Sequence, residues 1–424
     1  MLIGTDIAEI SRFENMSDAF LKKCFNDDEV AFFKGKKAAA TAAADFAAKE
    51  AFSKALGTGI RGFNLRDISV LRDDLGKPYF RFEPKVADIL KTMGAESVEL
   101  SLSHDGGVAV AVAVINQNDK MCLASKVASK AVTEVENVIS YNMINPAIHP
   151  RCTETHKGDY GRILIVAGSK GLTGAGILAS KAAIRSGGGL VTLGCCESLN
   201  SIFETCLHEV MTMPLADNGV SLSRECASKV VDKANASSVV AFGPGLTASG
   251  DTYFILKEIL RNVKKPVVID ADGINVLAKN INILKKAQAS VVLTPHMGEF
   301  ARLTGLSVEE ILKDVENIAS EFAVRYNVTL VLKSHKTLVA TADGQVRTNL
   351  LGNPGMATGG SGDVLTGVIA SFIGQGIENA VECGVFIHSM AADMAAFEKG
   401  EYGMIPTDII DNIPCAIKYI CGKE

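Results

Sequence analysis

For most of the chain the sequence predicts an α/β fold with a mostly parallel sheet, and three observations carry that reading. From Arg162 onward, short and nearly continuous apolar runs recur: ILIVA, LVTLG, SVVAFG, PVVID, SVVLT and TLVLK. Between them lie Ala/Gly-rich stretches such as GILASKAAIRSG. Apolar strands alternating with helices belong to a parallel sheet covered on both faces. Third, the 39 glycines of the 424 residues cluster in the suggestive segments, whereas aromatics make up only 6% and Trp is absent. Ahead of this region a smaller α+β segment is expected, running from LIGTDIAEI to GVAVAVAVI, which ends at Ile115.

In chain order, LIGTDIAEI is the first strand and charged helical stretches follow it. The run from Ala38 to Leu56 is low in complexity but rich in strong helix formers, which predicts one long helix. Polar NQNDK reads as a linker, so domains are expected at 1–118 and 125–424, with residues 119–124 between them. VASKAVTEVENVISYN has apolar positions at helical spacing and predicts a helix. Beyond Arg162 the alternation described above takes over, and charge does not separate the two halves.

Composition narrows the function. Hydrophobic residues are 47% and charged residues 21%, with a net charge of −5, so an ordinary globular chain is expected. Without a basic excess, neither nucleic acid nor a membrane surface is an expected partner. The apolar run Gly107 to Ile115 falls far short of the roughly 20 residues of a spanning helix. MLIGTDIAEI has no basic n-region, and a cytoplasmic protein is expected. Ten cysteines without CxxC or Cys/His spacing read as reduced thiols.

In the smaller segment, Glu50 and Lys54 are four apart on one helical face, which is ordinarily a surface ion pair. Asp6 ends an apolar strand and reads as a turn residue, and His104 reads as a structural histidine. Together, two carboxylates near strand and helix ends could hold one Mg²⁺. The stretches GTDIAEISRFE, FAAKEAFSKALGTGI, GKPY and LSLSHD, in that order, resemble the holo-acyl-carrier-protein synthase family of phosphopantetheinyl transferases over residues 1–118. The resemblance implies transfer of 4′-phosphopantetheine from coenzyme A (CoA) to a serine of an apo acyl carrier protein, with 3′,5′-ADP leaving. It places Mg²⁺ on Asp6 and Glu50, Lys54 near the phosphates, and His104 against the CoA nucleotide. Glu50 would also help deprotonate the serine. Asp45 departs from the family, whose members commonly carry there an Arg that binds a CoA phosphate. Lysines 22, 23, 34, 36 and 37 could compensate, dock an acidic carrier protein, or form a solvated face.

The larger segment holds four constellations at expected strand ends. HKGDYGRILIVAGSKGLTGAG is a strand and a glycine turn entering a helix, able to offer backbone N–H groups to phosphate, although Gly168, Gly171 and Gly174 do not match GxGxxG. PVVIDADGIN places Asp270 and Asp272 after one strand, and SVVLTPHMGEF places His296 and Glu299 after another; each is also ordinary loop chemistry. In NPGMATGGSGDVLTG, Gly359, Gly360 and Gly362 lead into a helix whose first turn carries Asp363. Amides and helix dipole favour phosphate there, and the carboxylate either caps the helix or takes a proton from an attacking hydroxyl.

Those motifs, with FGPGL and LKSHKTLVA, resemble the ADP-dependent NAD(P)H-hydrate dehydratase family across about residues 125–424. The resemblance implies a ribokinase-like α/β/α sandwich that repairs the hydrates NADHX and NADPHX. ADP would phosphorylate the ring hydroxyl of the S epimer, and loss of phosphate would regenerate NADH or NADPH with AMP as the other product. Asp363 would be the base. Ala175, Gly245, His296 and Asp363 would line the hydrate site. Lys333, Ser334, His335, Lys336, Thr337 and Gly362 would hold the adenine nucleotide. The sequence therefore predicts a bifunctional enzyme with Mg²⁺ as cofactor, ADP and CoA as co-substrates, and a homo-oligomeric assembly. Two other readings stay open: a ribokinase-superfamily kinase acting on a small hydroxyl substrate, and an N-terminal half serving only for oligomerisation or binding.

Overall fold

The computed structural model describes residues 1–33, 37–57, 59–117, 119–133 and 135–422. The chain divides into two compact units, Met1–Ser125 and Lys126–Glu424. In the smaller, strands β1 (Leu2–Glu9), β4 (Ala95–Asp105) and β5 (Val108–Gln117) form an antiparallel sheet in the order β1-β5-β4, while β2 (Ile68–Arg72) and β3 (Pro78–Phe82) form a hairpin. The alanine run folds as the expected long helix, Ala38–Ala55, and buries Ala42, Ala43, Ala44, Ala47, Ala48 and Ala51. Its approach to β1 is close enough that a methyl group on Gly4 would overlap the carbonyl of Ala51.

A buried ion pair ties this helix to its neighbours. Lys49 Nζ lies 2.7 Å from Glu29 Oε2, with both side chains fully buried. Lys49 also donates to the carbonyls of Cys24 and Leu65, while Glu29 accepts from the amide of Val70 and from that of Asn26. Two buried charges with their remaining hydrogen bonds satisfied are tolerable, and removal of either would strand the other.

The larger unit contains a ten-stranded sheet in the order β6-β15-β14-β13-β12-β11-β10-β7-β8-β9. Its strands are β6 (Val138–Ile139), β7 (Arg162–Val166), β8 (Leu190–Cys196), β9 (Met211–Leu215), β10 (Val239–Phe242), β11 (Val267–Ile269), β12 (Val291–Leu293), β13 (Thr329–Leu332), β14 (Leu338–Ala340) and β15 (Val346–Asn349). From β13 through β9 all neighbours are parallel; β14 is antiparallel to both β13 and β15. Alternation along each strand serves both faces. Leu164, Val166, Val240 and Phe242 join the core cluster under helices Ala227–Asn235 and Gly250–Asn262, whereas Ile163 and Val239 meet helix Ser361–Gln375 at Gly374. Helix Ala380–Lys399 is the one helix among the described residues long and apolar enough to cross a membrane, and it is mostly buried inside the unit.

Two expectations near the boundary are corrected. The stretch read as a linker from residue 119 is helical, because Asp119–Ser129 continues through good helix formers. The helix expected over 127–142 ends at Ser129; Asn137 adopts a positive φ of 62°, and Val138–Ile139 pairs with β15 as a strand. The β-branched Val132 and Thr133 also weaken helix continuation.

Candidate active sites

In the smaller unit, the closeness enforced by Gly4 brings β1 and the alanine-rich helix together. Asp6 lies on the same face of β1 as Gly4 and Ala8, and its Oδ1 is 2.8 Å from Lys54 Nζ. Burial, and then the Asp6 charge, raise the Glu50 carboxyl above its usual range, while Lys54 lowers it. The three predicted side chains are therefore one electrostatic cluster, with Lys54 held by Asp6. His104 pairs across β5 with Ala109, which in turn faces Ala8, so it stands on the Asp6 face but exposed. Strand spacing separates it from Asp6 by about 12 Å.

Asp45 is not beside this cluster. Its side chain is fully buried, with Oδ1 2.5 Å from Arg72 Nη2, and burial pushes its carboxyl up to about 6 against the opposing hydrogen bond from Arg72. Expected at a phosphate, it is instead a core ion-pair member. Lys22 and Lys23 lie in the last turn of helix Asp18–Cys24, and Lys37 precedes the alanine-rich helix; Lys34 and Lys36 lie outside the described residues.

In the larger unit every predicted constellation falls at the carboxyl ends of strands, the edge where open α/β sheets bind ligands. Gly168 follows β7 and its amide donates to the Pro244 carbonyl, which knits the turns after β7 and β10. A methyl on Gly245 would lie 3.0 Å from the Ala175 Cβ, so those two predicted residues are neighbours. After β11, Asp270 is 1% exposed; its Oδ1 is 2.7 Å from Lys333 Nζ and its Oδ2 accepts from Thr366 Oγ1 at 2.8 Å. Ala271 then adopts φ 47°, ψ −117°, and Thr247, whose amide donates to Asp272 Oδ2, also has a positive φ of 66°. Both non-glycine residues thus hold positive φ beside Asp272, which stores backbone strain next to that carboxylate.

His296 caps helix Met297–Thr304: its Nδ1 accepts from the amides of Gly298 at 3.0 Å and Glu299 at 3.2 Å. The imidazole is thus a neutral Nε2–H tautomer, and burial, then Lys333 and Arg302, lower its pKa further. Gly360, at φ 104°, opens helix Ser361–Gln375, and Asp363 sits in its first turn. Burial, then the Asp270 charge, raise the Asp363 carboxyl to about 7, against the influence of Lys333. A methyl on Gly362 would stand 3.0 Å from Lys333 Nζ. The structure thus gathers Asp363, Gly362, Lys333 and His296 around Asp270. By contrast, Ser334, His335 and Lys336 form an exposed turn between β13 and β14, with the Ser334 hydroxyl donating to the Lys336 carbonyl at 2.7 Å; Thr337 is half-buried beyond it. The Thr366 contact with Asp270 is one that the sequence does not reveal; its one signal is its position three residues after Asp363.

A strand-edge glycine turn, a carboxylate in the first turn of its helix, and a sheet with helices on both faces define a ribokinase-like domain. A ribokinase-like superfamily protein from Enterococcus faecalis matches with a TM-score of 0.59 at 27% identity, covering 69% of this chain and 99% of that one. A family model described as NAD(P)H-hydrate dehydratase matches residues 163–415, and the chain belongs to that family. A model of the 4′-phosphopantetheinyl transferase superfamily matches residues 2–113.

Among similar proteins are a bifunctional NAD(P)H-hydrate repair enzyme from Moorella thermoacetica, 42% identical over 62% of this chain and 50% of its own length, and an ADP-dependent (S)-NAD(P)H-hydrate dehydratase from Listeria monocytogenes, 34% identical over 64% and 92%. The chain spans about half the length of the first curated relatives it matches. An ADP/ATP-dependent NAD(P)H-hydrate dehydratase from Bacillus subtilis, co-crystallised with ATP and Mg²⁺, aligns with a TM-score of 0.60 at 29% identity, covering 68% of this chain and all of that one.

Proposed function

We propose that the larger unit dehydrates (S)-NADHX and (S)-NADPHX at the expense of ADP, and that the smaller unit is a 4′-phosphopantetheinyl transferase. The observation that carries the first reading is Asp363, poised near neutrality in the first turn of a glycine-led helix beside Lys333. Its carboxylate takes the proton of the ring hydroxyl, and the freed oxygen attacks the β-phosphorus of ADP. The bond to the AMP oxygen breaks and AMP leaves. Phosphate then departs from the ring as a ring proton is lost, restoring the double bond of the reduced nicotinamide. Amides of the Gly359–Gly362 turn and the helix dipole stabilise charge on the transferring group. Ala175, Gly245 and His296 line the hydrate side, while Lys333–Thr337 and Gly362 hold the nucleotide. Purified protein with ADP should restore the near-ultraviolet absorbance of NADH from its hydrate. A phosphorylated product without returning absorbance would favour the small-molecule kinase instead.

For the smaller unit, Asp6 and Glu50 fit a hard cation, since the Asp6 charge raises the cost of charging Glu50 and oxygen donors are what Mg²⁺ takes. Bound there, Mg²⁺ would neutralise charge on the CoA pyrophosphate. Glu50 would accept the serine proton, Lys54 would meet a phosphate, and His104 would contact the nucleotide. The uncovered face of the three-stranded sheet, where Ile3 and Ile7 are exposed beside Val108, Val110, Val112 and Val114, supports a homo-oligomer. Incubation with CoA, Mg²⁺ and apo acyl carrier protein should add one phosphopantetheine to the carrier's mass. An unchanged mass would leave this unit as a binding module.

A further inference from the structure

We propose that Thr366 is a positioning residue for the phosphoryl group of ADP: by donating to Asp270 it fixes the carboxylate that holds the Lys333 ammonium beneath Gly362. The inference rests on the dehydratase reading for the identity of the transferred group, but its geometry is independent of turnover. Thr366 is fully buried on helix Ser361–Gln375, one turn beyond Asp363, and its hydroxyl reaches Asp270 Oδ2 at 2.8 Å. The other oxygen, Oδ1, holds Lys333 at 2.7 Å. Asp270 thus has both oxygens engaged, one by the helix that carries the glycine turn and one by the cation that follows β13. Its carboxylate has no freedom to rotate without breaking one of the two contacts, the buried one to Thr366 or the part-buried one to Lys333, and a buried oxygen left without a donor is costly.

Gly362 shows where this arrangement points. A Cβ there would be 3.0 Å from Lys333 Nζ and 3.8 Å from Asp270 Oδ2, so the ammonium lies directly under the backbone of the turn. An anion cradled by the amides of that turn meets the ammonium from the other side. Within the predicted run from Lys333 to Thr337, Ser334, His335 and Lys336 lie on an exposed turn, whereas Lys333 reaches into the Asp270 cluster. Division of labour follows: the exposed turn serves the nucleoside end, and Lys333 serves the phosphoryl that moves. Thr366 sets the height of that ammonium, and a hydroxyl rather than a methyl at the position is what the job needs.

The test compares equilibrium binding of ADP and AMP, by calorimetry, to wild type, Thr366→Val and Thr366→Ser, with melting temperatures recorded alongside. Thr366→Val should weaken ADP about tenfold and leave AMP, which lacks the transferred phosphoryl, within about twofold. Thr366→Ser should restore ADP binding. In the dehydration assay Thr366→Val should lower kcat more than it raises the KM of the hydrate. Equal losses for ADP and AMP, no loss at all, or no rescue by serine would overturn the proposal. Should Thr366→Val fail to fold, Thr366→Ala provides the same comparison, because it too removes the donor to Asp270 Oδ2; unweakened ADP binding there would likewise overturn the proposal. Wild type that binds ADP more tightly than AMP yet never regenerates NADH would sink the dehydratase reading while leaving the positioning role of Thr366 to stand or fall on the binding data.

Discussion

Replacing Asp363 by Asn should stabilise the larger unit increasingly as the pH rises, while abolishing turnover. Burial and the Asp270 charge lift the Asp363 carboxyl from its ordinary 3.8 to about 7. Between those values the folded chain keeps a proton that the unfolded chain has released, so stability falls as pH increases through that window. Below 3.8 both states are protonated and nothing is lost; above 7 the whole cost is present. About three pH units at roughly 1.4 kcal/mol each give an upper bound of about 4 kcal/mol for holding the charged carboxylate in place. The uncharged amide of D363N escapes that cost. Urea unfolding followed through the larger unit's transition should show variant and wild type nearly equal near pH 4, with the variant more stable by about 2–4 kcal/mol near pH 8. A stability difference that does not change with pH would refute the perturbed carboxyl and, with it, the argument that this group is tuned as a base.

Further outcomes follow from the same geometry. With Asp363 as the base, kcat/KM for the hydrate should fall about tenfold per pH unit below an acid limb near 7, a limb visible in a pH-rate profile at ADP concentrations below saturation. Gly362→Ala puts a methyl 3.0 Å from Lys333 Nζ and should cost more than about tenfold in kcat with little change in melting temperature. Lys49→Met leaves Glu29 charged and buried without its partner and should destabilise the smaller unit by about 3–5 kcal/mol in denaturant titration. Gly4→Ala should destabilise the same unit by about 1–3 kcal/mol, since helix and strand must separate to admit the methyl.

Much of the architecture was legible because it is written in local pattern. Each of the six apolar runs named from Arg162 onward is a strand, since a strand buried on both faces must be apolar throughout. β9, β14 and β15 escaped: Met211–Leu215 and Val346–Asn349 carry Thr, Pro, Arg and Asn within them, and Leu338–Ala340 is a short apolar run set directly after the polar turn 334–337. β6 falls inside the stretch whose spacing predicts a helix, because two residues give no strand period to detect. The glycine turn and Asp363 were legible from spacing, yet the contacts that tune them were not. Thr366 meets Asp270 across 96 positions and Lys333 meets it across 63, distances over which single-sequence pattern carries no information. Asp45 shows the converse case. A departure from a family motif looked like a charge set against a ligand, whereas its meaning depended on Arg72, 27 positions away.

The alanine-rich helix of the smaller unit gives low complexity a spatial meaning. Its backbone touches that of β1 at Gly4, and six of its alanines have almost no accessible surface. Each such position admits a methyl group and little more, so the repetitive letters record a ceiling on side-chain volume. Mutational tolerance along this segment should therefore be set by size: serine or glycine at a buried alanine trades modest stability, while valine or leucine forces apart the two elements that hold Asp6 and Glu50 in register. A stretch that resembles filler is the part of this unit with the least room to drift.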